Sequence, residues 1–151
     1  METLACGCPG SQVRNIQPRR EGSGPTERVA SELRQWPTQL RLVPPTAPWL
    51  QGADLLIAAD CTPFAYGDFH RDFIKGRVLV NACPKLDDTS SYVAKLAEIF
   101  TVNDLKSITV AIMEVPCCRG LHMLVQQALQ ASGKDIPLTV AVIGVDGERR
   151  A

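Results

Sequence analysis

The sequence predicts an α/β domain built on a mostly parallel sheet of four to five strands. Three observations carry that expectation. Short, continuously apolar runs recur along the chain, at residues 55–59, 78–82, 108–113 and 138–145. Amphipathic helical stripes lie between the later runs. Glycine and proline punctuate the junctions. A run that is apolar at every position suits a strand covered on both faces, and alternation of such runs with helices is the pattern of parallel strands joined by crossovers.

The elements follow in order. Residues 1–30 read as an irregular N-terminal arm, because Gly7, Pro9, Gly10, Pro18, Gly22, Gly24 and Pro25 break any periodicity. Residues 31–151 read as a single α/β domain. Trp36 is expected to pack as an anchor. Leu40-Arg41-Leu42-Val43 reads as a first strand, stopped by Pro44-Pro45. Pro48-Trp49-Leu50-Gln51 reads as a helical turn ended by Gly52. After the strand at 55–59, residues 63–75 read as a helix with Thr62 as N-cap, Pro63 at its first position and Gly76 past its end. Gly67 inside it costs about 1 kcal/mol relative to alanine, which favours a later start.

A strand at 77–82 comes next, then a helix capped by Asp88 or Thr89. Its stripe Val93, Leu96, Ala97 and Phe100 keeps the spacing of one buried helical face. A strand at 108–115 leads into a second stripe, Leu121, Leu124, Val125, Ala128 and Leu129, closed by Gly133. The last strand is 138–145. Right-handed crossovers would place helices on both faces of the sheet, giving a three-layer, Rossmann-like domain.

Composition narrows the function classes. Sixteen basic and sixteen acidic residues cancel to zero formal charge, which argues against nucleic-acid binding, since that normally brings a basic excess. No run of about 18 apolar residues is present to span a membrane. The N-terminus shows no charged and apolar secretory signal. The expected compartment is the cytoplasm, where thiols stay reduced. A chain of 151 residues can bury about 70% of its unfolded surface and needs no covalent staples. Its six cysteines therefore point to metal, cluster or redox chemistry more than to a disulfide framework.

Four of those cysteines stand where apolar runs end: Cys61, Cys83 and the pair Cys117-Cys118. Parallel strands would bring these positions to one edge, where open α/β sheets build their sites. Cys6 and Cys8, in Cys6-Gly7-Cys8-Pro9-Gly10, lie on the arm that could fold over the same edge. Four thiolates suit an iron–sulfur cluster or tetrahedral zinc. Cys118 opens a helix whose N–H groups would lower a thiol pKa and favour a bound anion. His122, one helical turn after Cys118, is a candidate fourth ligand for zinc. His70, among charged neighbours, reads as exposed or salt-bridged. Asp60, Glu114 and Asp146 also mark strand ends; Asp146 reads as a loop cap, and Asp87-Asp88 as a helix cap. No glycine-rich dinucleotide fingerprint, Walker loop or serine nucleophile elbow is present.

Several stretches carry a likeness. They are Cys6-Gly7-Cys8-Pro9-Gly10-Ser11, Leu42-Val43-Pro44-Pro45-Thr46-Ala47-Pro48, the run from Gly52 to Cys61, Cys83-Pro84-Lys85-Leu86-Asp87-Asp88, and Glu114-Val115-Pro116-Cys117-Cys118. Together they resemble the C-terminal cysteine-rich domain of ferredoxin-like iron–sulfur proteins of anaerobic bacteria and archaea, over residues 5–147. The ferredoxin module that precedes that domain in the family is not in this sequence. The resemblance implies a 4Fe-4S type of cluster on the six cysteines, an electron-transfer role, a link to an oxidoreductase, and a separate redox partner such as a ferredoxin. Two other readings stay open at this level. One is a zinc-binding structural or docking module using three cysteines and His122; the other is a metal-free thiol enzyme with Cys118 as its activated group.

Overall fold

The computed structural model describes residues 28–151 together with Arg14 and Ile16. Among them four strands form one sheet: β1 (Asp54–Ala59), β2 (Val78–Ala82), β3 (Ser107–Met113) and β4 (Leu138–Ile143). The order across the sheet is β2-β1-β3-β4, and every neighbouring pair is parallel. Three helices sit in the connections: the short α1 (Thr62–Ala65), α2 (Tyr92–Val102) and α3 (Arg119–Ser132). The expected α/β architecture is thus the observed one.

Burial explains the strand sequences. Leu55, Leu56, Ile57 and Ala58 of β1 are completely buried, because β1 lies between two strands and is covered on both faces. Helices α2 and α3 pack on each other, and α3 also contacts β3. Buried side chains of α2 are Tyr92, Leu96, Ile99 and Phe100, and those of α3 are Leu121, Val125 and Ala128. Each large apolar side chain so buried contributes about 1.5–3 kcal/mol. Chain direction across the sheet reverses after β2. Right-handed crossovers then put the β1–β2 connection on the face opposite α2 and α3, which makes three layers.

The structure corrects several local expectations. Residues 40–43 form a turn instead of a strand. Gln39 makes one isolated parallel bridge to Asn81, and the amides of Leu42 and Val43 turn back to the Gln39 carbonyl. Leu40 and Val43 are fully buried all the same: their apolar spacing serves a turn tucked against the core. The helix expected over 63–75 is broken. α1 ends before Gly67, and a separate wide helical turn runs over His70–Ile74. Thr62 does not cap it; Cys61 holds that position, while the buried Thr62 hydroxyl donates to the Ala59 carbonyl at 2.8 Å. Ser91, not Asp88 or Thr89, precedes α2. Trp36 is 77% exposed and packs as no anchor. Among the described residues, no helix is long and apolar enough to cross a membrane.

Candidate functional site

The strand order creates a crevice. From β1 the chain moves to β2 on one side, then crosses back to β3 on the other, so loops leaving the carboxyl ends of β1 and β3 diverge. Ligands of open α/β sheets sit at such a point. Cys61 follows β1 and Cys117-Cys118 follow β3, so they flank the crevice, while Cys83 follows the adjacent β2.

Each cysteine loop is pinned by its own bonds. The Asp60 amide extends the ladder to the Ala82 carbonyl at 3.1 Å, and Asp60 Oδ1 accepts from Asn81 Nδ2 at 2.8 Å. These bonds tie the Cys61 loop to the end of β2. The Cys83 N–H donates to Asp87 Oδ2 at 3.0 Å, the Asp87 N–H returns to the Cys83 carbonyl at 2.9 Å, and the Tyr92 hydroxyl donates to the same Asp87 oxygen at 2.8 Å. Asp87 is therefore the clasp of the Cys83 loop and not the helix cap expected of it. Asp88 accepts from the Ser90 amide within its own turn. Pro116–Cys118 forms a tight helical turn that runs into α3. At the start of α3, a side chain on Gly120 would stand 3.4 Å from Pro84, so the Cys83 loop packs directly against the helix that follows Cys117-Cys118.

These loops enclose one cavity of about 330 Å³. Cys61, Cys83, Cys117 and Cys118 all line it, as do Asp60 and Lys85, and its apolar wall includes Ala59, Met113, Val115 and Val145. The expected convergence of four strand-end thiols is what the fold delivers. Cys61 is exposed, Cys83 and Cys117 are half-buried, and Cys118 is buried. Burial, then the neighbouring Cys83, Asp60 and Cys117, pushes the Cys61 thiol above its usual value. Burial pushes Cys118 further, up to about 11, against a backbone hydrogen bond at Met113 that pulls it down. The expectation that the start of α3 would lower this thiol's pKa is thus reversed: loss of solvation outweighs the helix end.

Other sequence candidates fall elsewhere. Cys6 and Cys8 lie outside the described residues. His122 is half-buried on α3 and does not line the cavity. His70 is half-buried, with Nδ1 accepting the Glu32 N–H at 3.1 Å. Glu114 accepts the Val145 amide at 3.3 Å and pairs with Arg150 at 3.3 Å. Asp146 accepts the Glu148 amide at 3.0 Å and pairs with Arg150 at 2.9 Å, as a loop cap does. Among the described residues, no group of three or more His, Cys, Asp or Glu side chains is placed to hold a metal ion. Sequence reasoning missed Lys85, Met113 and Val145 as cavity residues. Proximity to a strand end was the signal for each.

The family model described as "Rossmann-like domain" matches residues 47–149. The chain is 35% identical over 116 residues to an archaeal protein of Archaeoglobus fulgidus described as "Uncharacterized protein", an alignment covering 77% of this chain and 81% of that protein. No solved structure matches.

Proposed function

The chain belongs to the Rossmann-like domain family, and from that premise we propose that its cysteine-lined cavity holds an iron–sulfur cluster and serves electron transfer. Fold alone assigns no chemistry; the site must carry the argument. The observation that carries it is the set of four thiols, drawn from three separate loops, on the rim of one cavity at the switch point of the sheet. The likeness to the C-terminal domain of ferredoxin-like proteins, noted on the cysteine motifs, adds to it.

Four thiols are the donor type that such a group takes. Thiolates are soft ligands that favour iron–sulfur centres and zinc. Cys61 is pushed up partly by Cys83 and Cys117, so these sulfurs repel one another as thiolates, and a bound cation offsets that repulsion. His122 does not line the cavity, which leaves a zinc site of three cysteines and that histidine without its fourth ligand. The metal-free thiol enzyme is less well supported, because Cys118 is held protonated by burial.

In this reading Cys61, Cys83, Cys117 and Cys118 hold the cluster, which when bound supplies one-electron redox chemistry. Asp87 and Asp60 keep the Cys83 and Cys61 loops in place. Met113, Val115 and Val145 exclude water from one side, which tunes the potential through local polarity. A separate electron carrier of the ferredoxin kind is the partner, and the cytoplasm keeps the thiols reduced.

The test is anaerobic reconstitution of the full chain with ferrous iron and sulfide, followed by visible spectroscopy and elemental analysis. The expected product is brown and holds iron and sulfide together. Cys61→Ser, Cys83→Ser and Cys117→Ser should each weaken iron binding by about tenfold or more. A colourless protein with no stoichiometric iron, or iron binding that ignores all three substitutions, sinks the proposal.

A further inference from the structure

The thiols stand at the carboxyl edge of the sheet; a second cleft lies at the opposite, amino edge. Asp54 opens β1, Arg77 directly precedes β2, and Lys106 directly precedes β3. These strands are parallel neighbours, so their starts come together. With Arg34 and Trp49, the three residues line a cleft of about 270 Å³. Ligand clefts begin at about 300 Å³, so the occupant is small. Gly52 and Gly76 also line it and bring no side chain to fill it.

Three cations face one carboxylate here, which leaves two positive charges in excess. The guanidiniums are oriented by bonds that cancel no charge. Arg77 Nη1 donates to the carbonyls of Asp72 at 3.2 Å and Phe73 at 2.9 Å. Arg34 Nη1 donates to those of Ser31 at 2.8 Å and Leu33 at 2.9 Å. Arg34 also meets Glu32 at 3.7 Å, an exposed pair that offsets it weakly. Among the described residues, Arg77 and Lys106 make no ion pair. Asp54 Oδ1 is taken by the Ser107 hydroxyl at 2.6 Å. Trp49 is half-buried and packs on the core, so its ring is a fixed wall.

We propose that this cleft binds a small phosphate monoester that carries a flat ring. The phosphoryl group sits among Arg34, Arg77 and Lys106, and the ring lies on Trp49. A monoester brings close to two negative charges at neutral pH and three strong acceptor oxygens, which matches the excess of two; a carboxylate brings one. A planar guanidinium takes two such oxygens at once, and a ring on an indole face adds apolar contact and quadrupole attraction. The cleft does not share a residue with the thiol cavity, so this site and the cluster stand or fall separately.

Titration calorimetry of the full chain at low salt tests it, with phenyl phosphate, inorganic phosphate and benzoate as probes. Phenyl phosphate should bind with a dissociation constant of about 1 mM or tighter. It should bind at least about twofold tighter than inorganic phosphate, which lacks the ring, and tighter than benzoate, which has the ring and half the charge. Arg77→Gln should weaken phenyl phosphate about tenfold, and Lys106→Gln at least about twofold. The Lys106 side chain is exposed and the residue's bond to Ala53 is made by its backbone, so that variant stays decisive even if Arg77→Gln unfolds. In Trp36→Phe, Trp49 is the one tryptophan left, and phenyl phosphate should change its fluorescence. Absence of saturable binding, equal affinity for benzoate, indifference to the charge substitutions, or unchanged Trp49 fluorescence would each overturn the proposal.

Discussion

At the scale of single residues, Cys118 is where burial and function meet. Two effects compete at its sulfur. A helix N-terminus favours the thiolate by roughly 0.3–1 kcal/mol, whereas burial shifts ionisable groups by up to several pH units. Burial wins, and the thiol titrates near 11 instead of its ordinary 9.0. The linkage sign follows. Between those values the unfolded chain has released this proton and the native protein has kept it, so stability falls as pH rises. The contribution is complete below about pH 9 and is lost as pH climbs through about 11. Urea unfolding at pH 8, 9 and 10.5 should show declining stability, and Cys118→Ala should flatten that decline even though it lowers stability at pH 8. An equal slope in the two proteins would remove Cys118 as the cause. Tyr92, pushed up to about 12 by burial and its bond to Asp87, adds a decline of the same sign at higher pH. The position of Cys118 was legible in the sequence, because an apolar run set the end of β3. Its titration was not, since burial of the sulfur arises only in the folded chain, and no local pattern states that.

At the scale of elements, the fold depends on how each connection is ended, and two glycines separate two kinds of constraint. Gly133 closes α3 with φ +67°, and a side chain there meets nothing within 4 Å. Gly133→Ala should therefore cost only the backbone penalty of a left-handed alanine, about 1 kcal/mol. Gly147 has φ +85°, and an added Cβ would sit 2.8 Å from the Ala65 carbonyl oxygen at the end of α1. Gly147→Ala meets the same backbone penalty and a backbone clash besides, so it should destabilise more than Gly133→Ala and disturb the loop behind Val145 and Cys61. Denaturant midpoints of the two variants check this; equal losses would mean that the loop after β4 moves freely away from α1. The same contrast explains which elements could be read in advance. α3 declared itself through a long stripe and a closing glycine. The 63–75 segment did not, because Gly67 breaks it and the pieces are held by tertiary contacts such as Thr62 with Ala59. Residues 40–43 looked like a strand because Leu40, Leu42 and Val43 are all apolar, but burial of Leu40 and Val43 with Leu42 exposed is the three-residue spacing of a turn packed on a core, not the two-residue alternation of a strand. The partner carbonyls, Asn81 for Leu40 and Gln39 for Val43, separate the two as well.

At the scale of the whole molecule, the sheet order makes distant cysteines neighbours. β1, β2 and β3 lie side by side, and their registers hold Ala58 opposite Asn81 and Ala111, so the three strands end nearly level. The thiols that follow them are far apart in sequence and share a cavity only in the folded chain. A group that binds all of them binds the native state and has no equivalent site in the unfolded one. Such a ligand stabilises by mass action, by about 2.7 kcal/mol when present at a hundred times its dissociation constant. For a chain of this length, that amount raises the thermal midpoint by at least about 5 °C. Reconstitution with iron and sulfide should therefore raise Tm by that much or more, and a chelator should return it to the metal-free value. Cys61→Ser should abolish the increment while leaving the metal-free midpoint close to that of the natural chain, because Cys61 is exposed and supports little of the core. Iron that binds without raising Tm would be held by sulfurs that the unfolded chain presents equally well. The shared cavity at the switch point would then not be where it sits.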